Sequence, residues 1–102
     1  MTLKEKAGIC IVAAGRLDRG EYAEYAAIRD AAFLADFTWR EVRNTDIDTG
    51  EYLIIGIFYE HKGEYFYFSC CENTKDEEMN RADHEWRRYF TEKNKKRSEK
   101  TS

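Results

Sequence analysis

The sequence predicts an α+β domain in which a helical hairpin is followed by a three-stranded antiparallel sheet and a C-terminal helix, in the order ααβββα. Apolar residues recur at helical spacing before residue 35 and after residue 76, but alternate between residues 37 and 71. Helices that are segregated from strands along the chain are typical of this class. The 102 residues, 42% of them hydrophobic, suffice for one core. We expect a single domain over residues 1–95 and a frayed basic tail over residues 96–102, which contain no apolar residue.

The first helix is predicted from its N-terminal cap. Thr2 and Glu5 have the spacing of a capping box, in which two side chains satisfy backbone amides at the start of a helix. Gly15 suits a left-handed helix end. A strand is the alternative for this segment, since residues 8–12 form a continuous apolar run. The apolar residues at helical spacing are Leu3, Ala7, Cys10, Ile11, Ala14 and Leu17.

Two further helices are predicted from caps and periodicity. The second begins near Asp18 and continues through Phe33, and its many alanines suggest close packing. Thr74 and Glu77 form another capping-box pattern, so the C-terminal helix is predicted to start there and to end at about Lys95. The apolar residues of this helix are Met79, Ala82, Trp86, Tyr89 and Phe90.

Three segments, residues 37–43, 52–60 and 64–71, alternate with the period of strands. We expect an antiparallel meander in which residues 61–63 form a three-residue hairpin loop with Gly63 in the left-handed conformation. This loop places Glu60 opposite Glu64 and makes both faces of the sheet apolar. One face is predicted to carry Ile54, Phe58, Phe66 and Phe68, and the other Leu53, Ile57, Tyr59, Tyr65 and Tyr67.

Composition limits where the chain is expected to act. Its longest mainly apolar runs have eight residues, whereas a membrane-spanning helix needs roughly 18, so we expect no membrane partner. The N-terminal residues carry an acid and lead into too short an apolar run for a signal peptide, which favours the cytoplasm. Cys10, Cys70 and Cys71 lack the spacing of a disulfide framework and are expected to be free thiols in a reducing compartment.

The sequence contains no convincing catalytic or cofactor motif. Asp46-x-Asp48-x-Gly50 begins like a calcium loop, but Gly50 stands where a third oxygen ligand belongs and Ile57 where a bidentate glutamate is required. A polar hairpin loop explains this segment. The cysteines and histidines have neither CxxC nor HxxxH spacing, and glycine-rich phosphate loops are absent from the sequence. We therefore expect no enzyme activity, no metal site and no cofactor.

Two parts of the chain resemble RNA-binding families. Residues 62–68 resemble the aromatic strand of an RNA-recognition motif, which implies stacking on bases, although Glu64 and Tyr65 stand where that family has an aromatic and a small residue. The last five elements are similar in order to a double-stranded RNA-binding domain, a family that places lysines at the start of its final helix. This chain has acidic residues at 76–78 instead, and these would repel RNA.

The charges are polarised along the chain, although the net charge is only −3. Residues 46–78 contain nine acidic residues against two lysines, whereas residues 81–100 contain eight basic and four acidic residues. Such patches act mainly on partner choice and association rate. We therefore predict a non-enzymatic module that binds a protein partner, or a second copy of itself, through acidic hairpins and the tyrosine-bearing face of the sheet. The predicted contact residues are Asp46, Asp48, Glu51, Tyr59, Glu60, Glu64, Tyr65 and Tyr67.

In size and charge the chain resembles the anti-CRISPR and other anti-defence inhibitors made by phages and mobile elements. The resemblance implies that the partner is a basic nucleic-acid-binding protein, such as a host defence nuclease, whose groove the acidic residues occupy. The alternative is a nucleic-acid-binding regulator that uses the basic C-terminal helix and the sheet aromatics. Retention of RNA or DNA with a steep salt dependence would favour this alternative.

Overall fold

The computed structural model describes residues 1–72 and 74–101, with side chains at 1–72 and 74–96. This part of the chain forms three helices and a three-stranded antiparallel sheet, which confirms the predicted α+β class and element order. One side of the sheet is covered by α1 and α2, and the other by α3, which packs on β3 and β2. The elements are α1 (Leu3–Asp18), α2 (Tyr22–Leu34), β1 (Arg40–Thr45), β2 (Tyr52–His61), β3 (Glu64–Ser69) and α3 (Glu77–Thr101).

The first helix starts at its predicted cap. The backbone amide of Glu5 donates to Thr2 Oγ1 at 3.1 Å, and the Glu5 side chain accepts from the Thr2 backbone, so the capping box is confirmed. The apolar run at residues 8–12 lies within α1, which excludes the alternative strand. The helix passes through Gly15 without stopping and ends at Asp18.

The second helix begins at Tyr22 rather than near Asp18. The chain turns at Gly20, which has a φ of 76°, a value that glycine adopts without steric clash. Glu21, at the start of α2, makes no capping hydrogen bond; its carboxylate instead lies 2.9 Å from the guanidinium of Arg16. The turn therefore joins the two helices through an ion pair rather than through a side-chain cap.

The first strand begins at Arg40 rather than at Phe37. Asp36 has a φ of 62°, and the amide of Phe37 donates to the carbonyl of Ala32 at 2.9 Å. Phe37 is therefore still hydrogen-bonded to the C-terminal end of α2. Phe37 is nevertheless buried, with its ring centroid 5.2 Å from that of Tyr59. Its apolar character reflects core packing and not membership of the strand.

The hairpin between β2 and β3 has a two-residue loop instead of the predicted three-residue loop. Lys62 and Gly63 have φ values of 51° and 85°, as in a type I′ turn. Glu64 therefore pairs with His61, and Glu60 pairs with Tyr65. The predicted register is wrong by one residue, and a shift of one residue changes which side chains of the two strands share a face.

The observed register divides the sheet aromatics between two cores. On the side of α1 and α2 lie Ile57, Tyr59, Phe66 and Phe68. On the side of α3 lie Phe58, Tyr65 and Tyr67. The prediction that the sheet tyrosines share one face is therefore wrong. The described helices cover both faces, so the sheet does not present the bare tyrosine-bearing face that was expected to bind a partner.

The C-terminal helix is capped by Asp76 rather than by the predicted Thr74. Asp76 Oδ1 accepts from the backbone amides of Glu78 at 2.9 Å and Met79 at 3.4 Å. An aspartate in this position satisfies amides that have no partner within the helix, and its charge also suits the positive end of the helix dipole.

The same helix continues to Thr101, whereas an end near Lys95 is predicted. Part of the predicted frayed tail over residues 96–102 lies outside the described residues, namely the side chains at 97–101 and residue 102.

The side chain of Asn94 covers the outer edge of β3. Asn94 Oδ1 accepts from the amide of Tyr65 at 2.8 Å, and Nδ2 donates to the carbonyl of Tyr65 at 2.8 Å. These two bonds replace those that a neighbouring strand would make with an edge residue. They also attach the C-terminal half of α3 to the sheet.

Replacing Asn94 with alanine is expected to lower the free energy of unfolding by about 1–3 kcal/mol, because the backbone of Tyr65 loses both partners. Urea denaturation followed by circular dichroism measures the loss. Lys95→Ala, at an exposed position of the same helical turn, is the control and should change stability by less than about 0.5 kcal/mol. Equal losses in the two variants would show that Asn94 does not clamp this edge.

Candidate protein-binding surface

The turn between β1 and β2 is held in one conformation by hydrogen bonds. Asp46 Oδ1 accepts from the backbone amides of Asp48 at 2.8 Å and Thr49 at 3.2 Å. The amide of Gly50 donates to the carbonyl of Asp46 at 2.9 Å, and the φ of Gly50 is 75°. Aspartate commonly stabilises turns by such bonds to the backbone that follows it. Asp46 therefore has a structural role in addition to its charge.

An apolar side chain lies at the tip of this turn. Ile47 is 97% exposed and is flanked by the exposed carboxylates of Asp46 and Asp48. Leu53 and Tyr52, at the start of β2, are about half exposed nearby. Burial of an isoleucine side chain by a partner is worth about 1.5–3 kcal/mol, so the tip offers apolar binding energy within an acidic surface.

A groove of about 760 Å³, which we call the acidic groove, lies beside the turn. Three carboxylates line it: Asp46 and Glu51 from the turn and Glu78 from the first helical turn of α3. Clefts lined by one sign of charge concentrate the field and attract partners of the opposite sign. The full lining is Asn44, Thr45, Asp46, Gly50, Glu51, Tyr52, Leu53 and Glu78.

The structure separates the acidic residues that were predicted to act together. The three acids of the β1–β2 turn are neighbours, but Glu60 and Glu64 lie at the β2–β3 turn, at the other end of β2. A strand of ten residues separates the two turns by about 30 Å. Glu78 joins the first group instead. In the sequence, Glu78 stands out only as one of the acids at residues 76–78 that would repel RNA, because the approach of α3 to the turn is a tertiary contact.

Tyr59, a predicted contact residue, lies in the core. It is 5% exposed, and its ring stacks against those of Phe66 and Phe68 at centroid distances of 5.2 and 6.1 Å. Its hydroxyl has no hydrogen-bond partner among the described residues, and burial raises the pKa of the phenol. Tyr59 therefore cannot contact a partner while the core is intact.

Tyr65 and Tyr67 are half-buried beneath α3. The Tyr67 hydroxyl donates to Asp83 Oδ1 at 2.6 Å, and Asp83, which is 8% exposed, also accepts from Arg87 Nε at 3.0 Å. Burial and the hydrogen bond to Asp83 raise the pKa of the Tyr67 phenol. Tyr65 packs with its ring centroid 5.5 Å from that of Phe90. Both tyrosines thus attach α3 to the sheet.

A second groove, of about 380 Å³, lies between β1 and α3, and we call it the basic groove. Trp86 and Tyr89 line it from α3 and are partly exposed. The charged residues that line it from β1 are Arg40, Glu41 and Arg43, two bases and one acid. The ammonium of Lys93 lies 5.2 Å from the ring centroid of Tyr89, and interaction with Tyr89 raises the pKa of Lys93. Sequence reasoning placed the nucleic-acid aromatics mainly on the sheet. Two aromatics three residues apart on a basic helix are the signal that indicates this groove.

On the other side of the sheet, Glu41 of β1 is the centre of a polar network. The hydroxyl of Tyr25 donates to Glu41 and accepts from Trp39 Nε1, and the guanidinium of Arg43 lies 2.8 Å from the Glu41 carboxylate. Burial acts to raise the pKa of Glu41, but hydrogen bonds from Tyr25 and Arg43 hold it below its usual range. Glu41 and Arg43 are thus opposite charges on the same face of β1.

The cysteines are buried free thiols. Burial raises the pKa of Cys10 to about 12 and also raises that of Cys70, so the nucleophilic thiolate is scarce near neutral pH. Among the described residues, no group of three or more His, Cys, Asp or Glu side chains is arranged to hold a metal ion. In the same part of the chain, no helix combines the length and the apolar content needed to cross a membrane.

Comparison of the chain with protein-family models, with curated proteins and with solved structures found no match. The β1–β2 turn and the two grooves are therefore the features of this molecule that bear on its function.

Proposed function

We propose that this protein is a non-enzymatic binding module that docks on a basic protein partner through the β1–β2 turn and the acidic groove. The observation that carries the proposal is the position of Ile47, which is almost fully exposed between two carboxylates at the tip of a hydrogen-bonded turn. An apolar anchor surrounded by a polar, solvent-exposed rim is the usual anatomy of a protein-binding site.

Each part of this surface has a distinct energetic role. The carboxylates of Asp48, Glu51 and Glu78 raise the association rate with a basic partner, because long-range attraction steers the encounter. Ile47 supplies apolar area at the centre of the contact. The hydrogen bonds made by Asp46 keep the turn ordered before binding, so less conformational entropy is lost on association.

Nucleic-acid-binding proteins present the basic surfaces that match this chemistry, since their grooves carry arginine and lysine for phosphate contacts. We therefore infer that the partner is such a protein, with a host defence nuclease as the leading case, and that this chain inhibits it by occupying the groove. Free thiols at all three cysteines favour a reducing compartment such as the cytoplasm as the place of action.

Replacing Asp48 and Glu51 together with lysine is expected to slow association at least about ten-fold at low salt. The melting temperature should change little, because exposed turn charges contribute little to folding. Asp46 is left unchanged, since its carboxylate holds the turn. The measurement is capture of the partner from host lysate on the tagged protein, followed by surface plasmon resonance with the captured protein.

The matched control is Glu60→Lys with Glu64→Lys, which makes the same change in charge at the opposite turn and should leave association nearly unchanged. Ile47→Ser tests the anchor and should increase the dissociation rate rather than slow association. The proposal is refuted if the Glu60 and Glu64 pair abolishes capture while the Asp48 and Glu51 pair does not.

The basic groove favours a second candidate, the binding of single-stranded nucleic acid. Trp86 and Tyr89 present aromatic faces on which bases can stack, and Arg40 and Lys93 lie where they can contact phosphate. A gel shift with single-stranded RNA and DNA at low salt separates the two candidates. Retention that falls steeply with salt and is lost in Trp86→Ala would replace the first proposal with this one.

A further inference from the structure

The two edges of the sheet differ in how they are protected. At the β3 edge, Asn94 satisfies both the amide and the carbonyl of Tyr65. At the β1 edge, among the described residues, the strand pairs with β2 alone. An unpaired strand edge is a template for another strand, and proteins usually cover it or place repelling groups on it.

The backbone groups that β1 directs outward can be identified from its pairing. The amide of Asp46 donates to the carbonyl of Glu51 at 2.8 Å, so the backbone groups of Asp46 point toward the side of β2. Backbone groups alternate between the two sides of a strand. The irregularity in the ladder adds a residue to β2, not to β1, so the alternation in β1 is preserved. The backbone amides and carbonyls of Val42 and Asn44 therefore point toward β2. Those of Glu41 and Arg43 point outward, away from the sheet.

We propose that β1 pairs antiparallel with β1 of a second copy of this chain, with the two Val42 residues opposite each other on the two-fold axis. In this register the outward backbone groups of Glu41 meet those of Arg43 in the second copy, as a hydrogen-bonded pair requires. The two sheets then form one continuous sheet of six strands.

Charge complementarity is the reason to choose a second copy as the occupant. Glu41 and Arg43 lie on the same face of β1, and the proposed register places each opposite its counter-charge in the second copy. Opposite charges at directly facing positions stabilise a strand pair, and like charges destabilise it. The segment from Glu41 to Arg43 thus has opposite charges on either side of a central apolar residue, which is self-complementary about Val42.

The inference is independent of the proposed function. Antiparallel pairing about Val42 places the two β1–β2 turns at opposite ends of the joined sheet, and Ile47, Asp48 and Glu51 lie outside the paired strands. Loss of the strand pairing would therefore leave partner capture possible, and loss of partner capture would leave the dimer intact.

Sedimentation of the full chain between about 10 μM and about 1 mM tests the dimer. Arg43→Pro removes an outward amide, which an edge strand tolerates, and should keep the protein monomeric over this range. Arg43→Thr removes the same charge but keeps the amide, so it should still dimerise, with a dissociation constant raised by no more than about ten-fold. Circular dichroism of both variants at low concentration confirms that they fold.

Hydrogen exchange of the unmodified chain gives a second test that requires no variant. Protection of the Glu41 and Arg43 amides should rise with protein concentration, whereas the Val42 and Asn44 amides should be protected at every concentration because they bond to β2. The proposal is overturned by a chain that stays monomeric at about 1 mM. It is also overturned by a dimer whose Glu41 and Arg43 amides exchange as in the monomer, or by a folded Arg43→Pro variant that still dimerises.

Discussion

Replacing Phe90 with alanine is expected to lower the free energy of unfolding by about 3–5 kcal/mol, the range found for large aromatic residues removed from a core. Phe90 is only 4% exposed and packs from α3 into the core cluster on that side of the sheet. Its centroid lies 4.7 Å from that of Phe58 and 5.4 Å from that of Tyr67. A cavity at this position would separate α3 from the sheet, because the half-buried tyrosines pack against the same ring.

Urea denaturation followed by circular dichroism measures this loss, and Tyr89→Ala is the matched control. Tyr89 is the preceding residue of the same helix and also contacts Phe90, at 5.2 Å, but its side chain is about half exposed. We expect Tyr89→Ala to lower the free energy of unfolding by less than half as much as Phe90→Ala, because the Tyr89 side chain buries less apolar area on folding. Similar losses in the two variants would mean that α3 does not depend on the buried ring.

Gly56→Ala is expected to cost about 3 kcal/mol, since it both overpacks the α3 side of the sheet and disturbs a buried hydrogen bond. A Cβ atom at this position would overlap the hydroxyl oxygen and two ring carbons, Cε1 and Cζ, of Tyr67. The Tyr67 hydroxyl donates to the buried carboxylate of Asp83 at 2.6 Å, so the ring cannot move aside without breaking this bond. Glycine is needed here for the close approach of the ring, not for a special φ.

Thermal and urea denaturation measure this effect, with Gly8→Ala as the control. Gly8 is exposed within α1 and a Cβ there meets nothing within 4 Å, so alanine should stabilise the protein by up to about 1 kcal/mol. Combining Gly56→Ala with Tyr67→Leu should cost less than the sum of the two single changes, because the smaller side chain leaves room for the new methyl group. Strict additivity would show that Gly56 and Tyr67 are not coupled.

The order and type of the elements could be predicted because local patterns determine them. The capping box at Thr2 and Glu5 and the change from helical to alternating spacing depend on residues that are close in sequence. Element ends were predicted less well. Asp76 and not Thr74 caps α3: Asp76 Oδ1 accepts from amides of the first helical turn, whereas Thr74 Oγ1 accepts from the amide of Asp76, before the helix begins.

The candidate site was predicted only where it is local. The acids at Asp46, Asp48 and Glu51 belong to one turn, so sequence proximity placed them together. Glu78 lines the same groove from α3. Glu60 and Glu64 do not line it, because the length of β2 separates the two hairpin turns. Long-range geometry of this kind has no signal in the spacing of residues.

By itself, the sequence determined the α+β class, the meander of three strands and the acidic character of the β1–β2 turn, since each follows from residue spacing and composition. Only the tertiary structure decided which side chains share a face. Residues 61–63 allow either a two-residue or a three-residue loop, and the two differ by one residue in register. In the observed register Ile57, which is fully buried, packs against α1, whereas Phe58 and Tyr67 pack against Phe90 of α3. The choice depends on burying apolar area against two helices that lie far from the loop in sequence, so the local pattern could not make it.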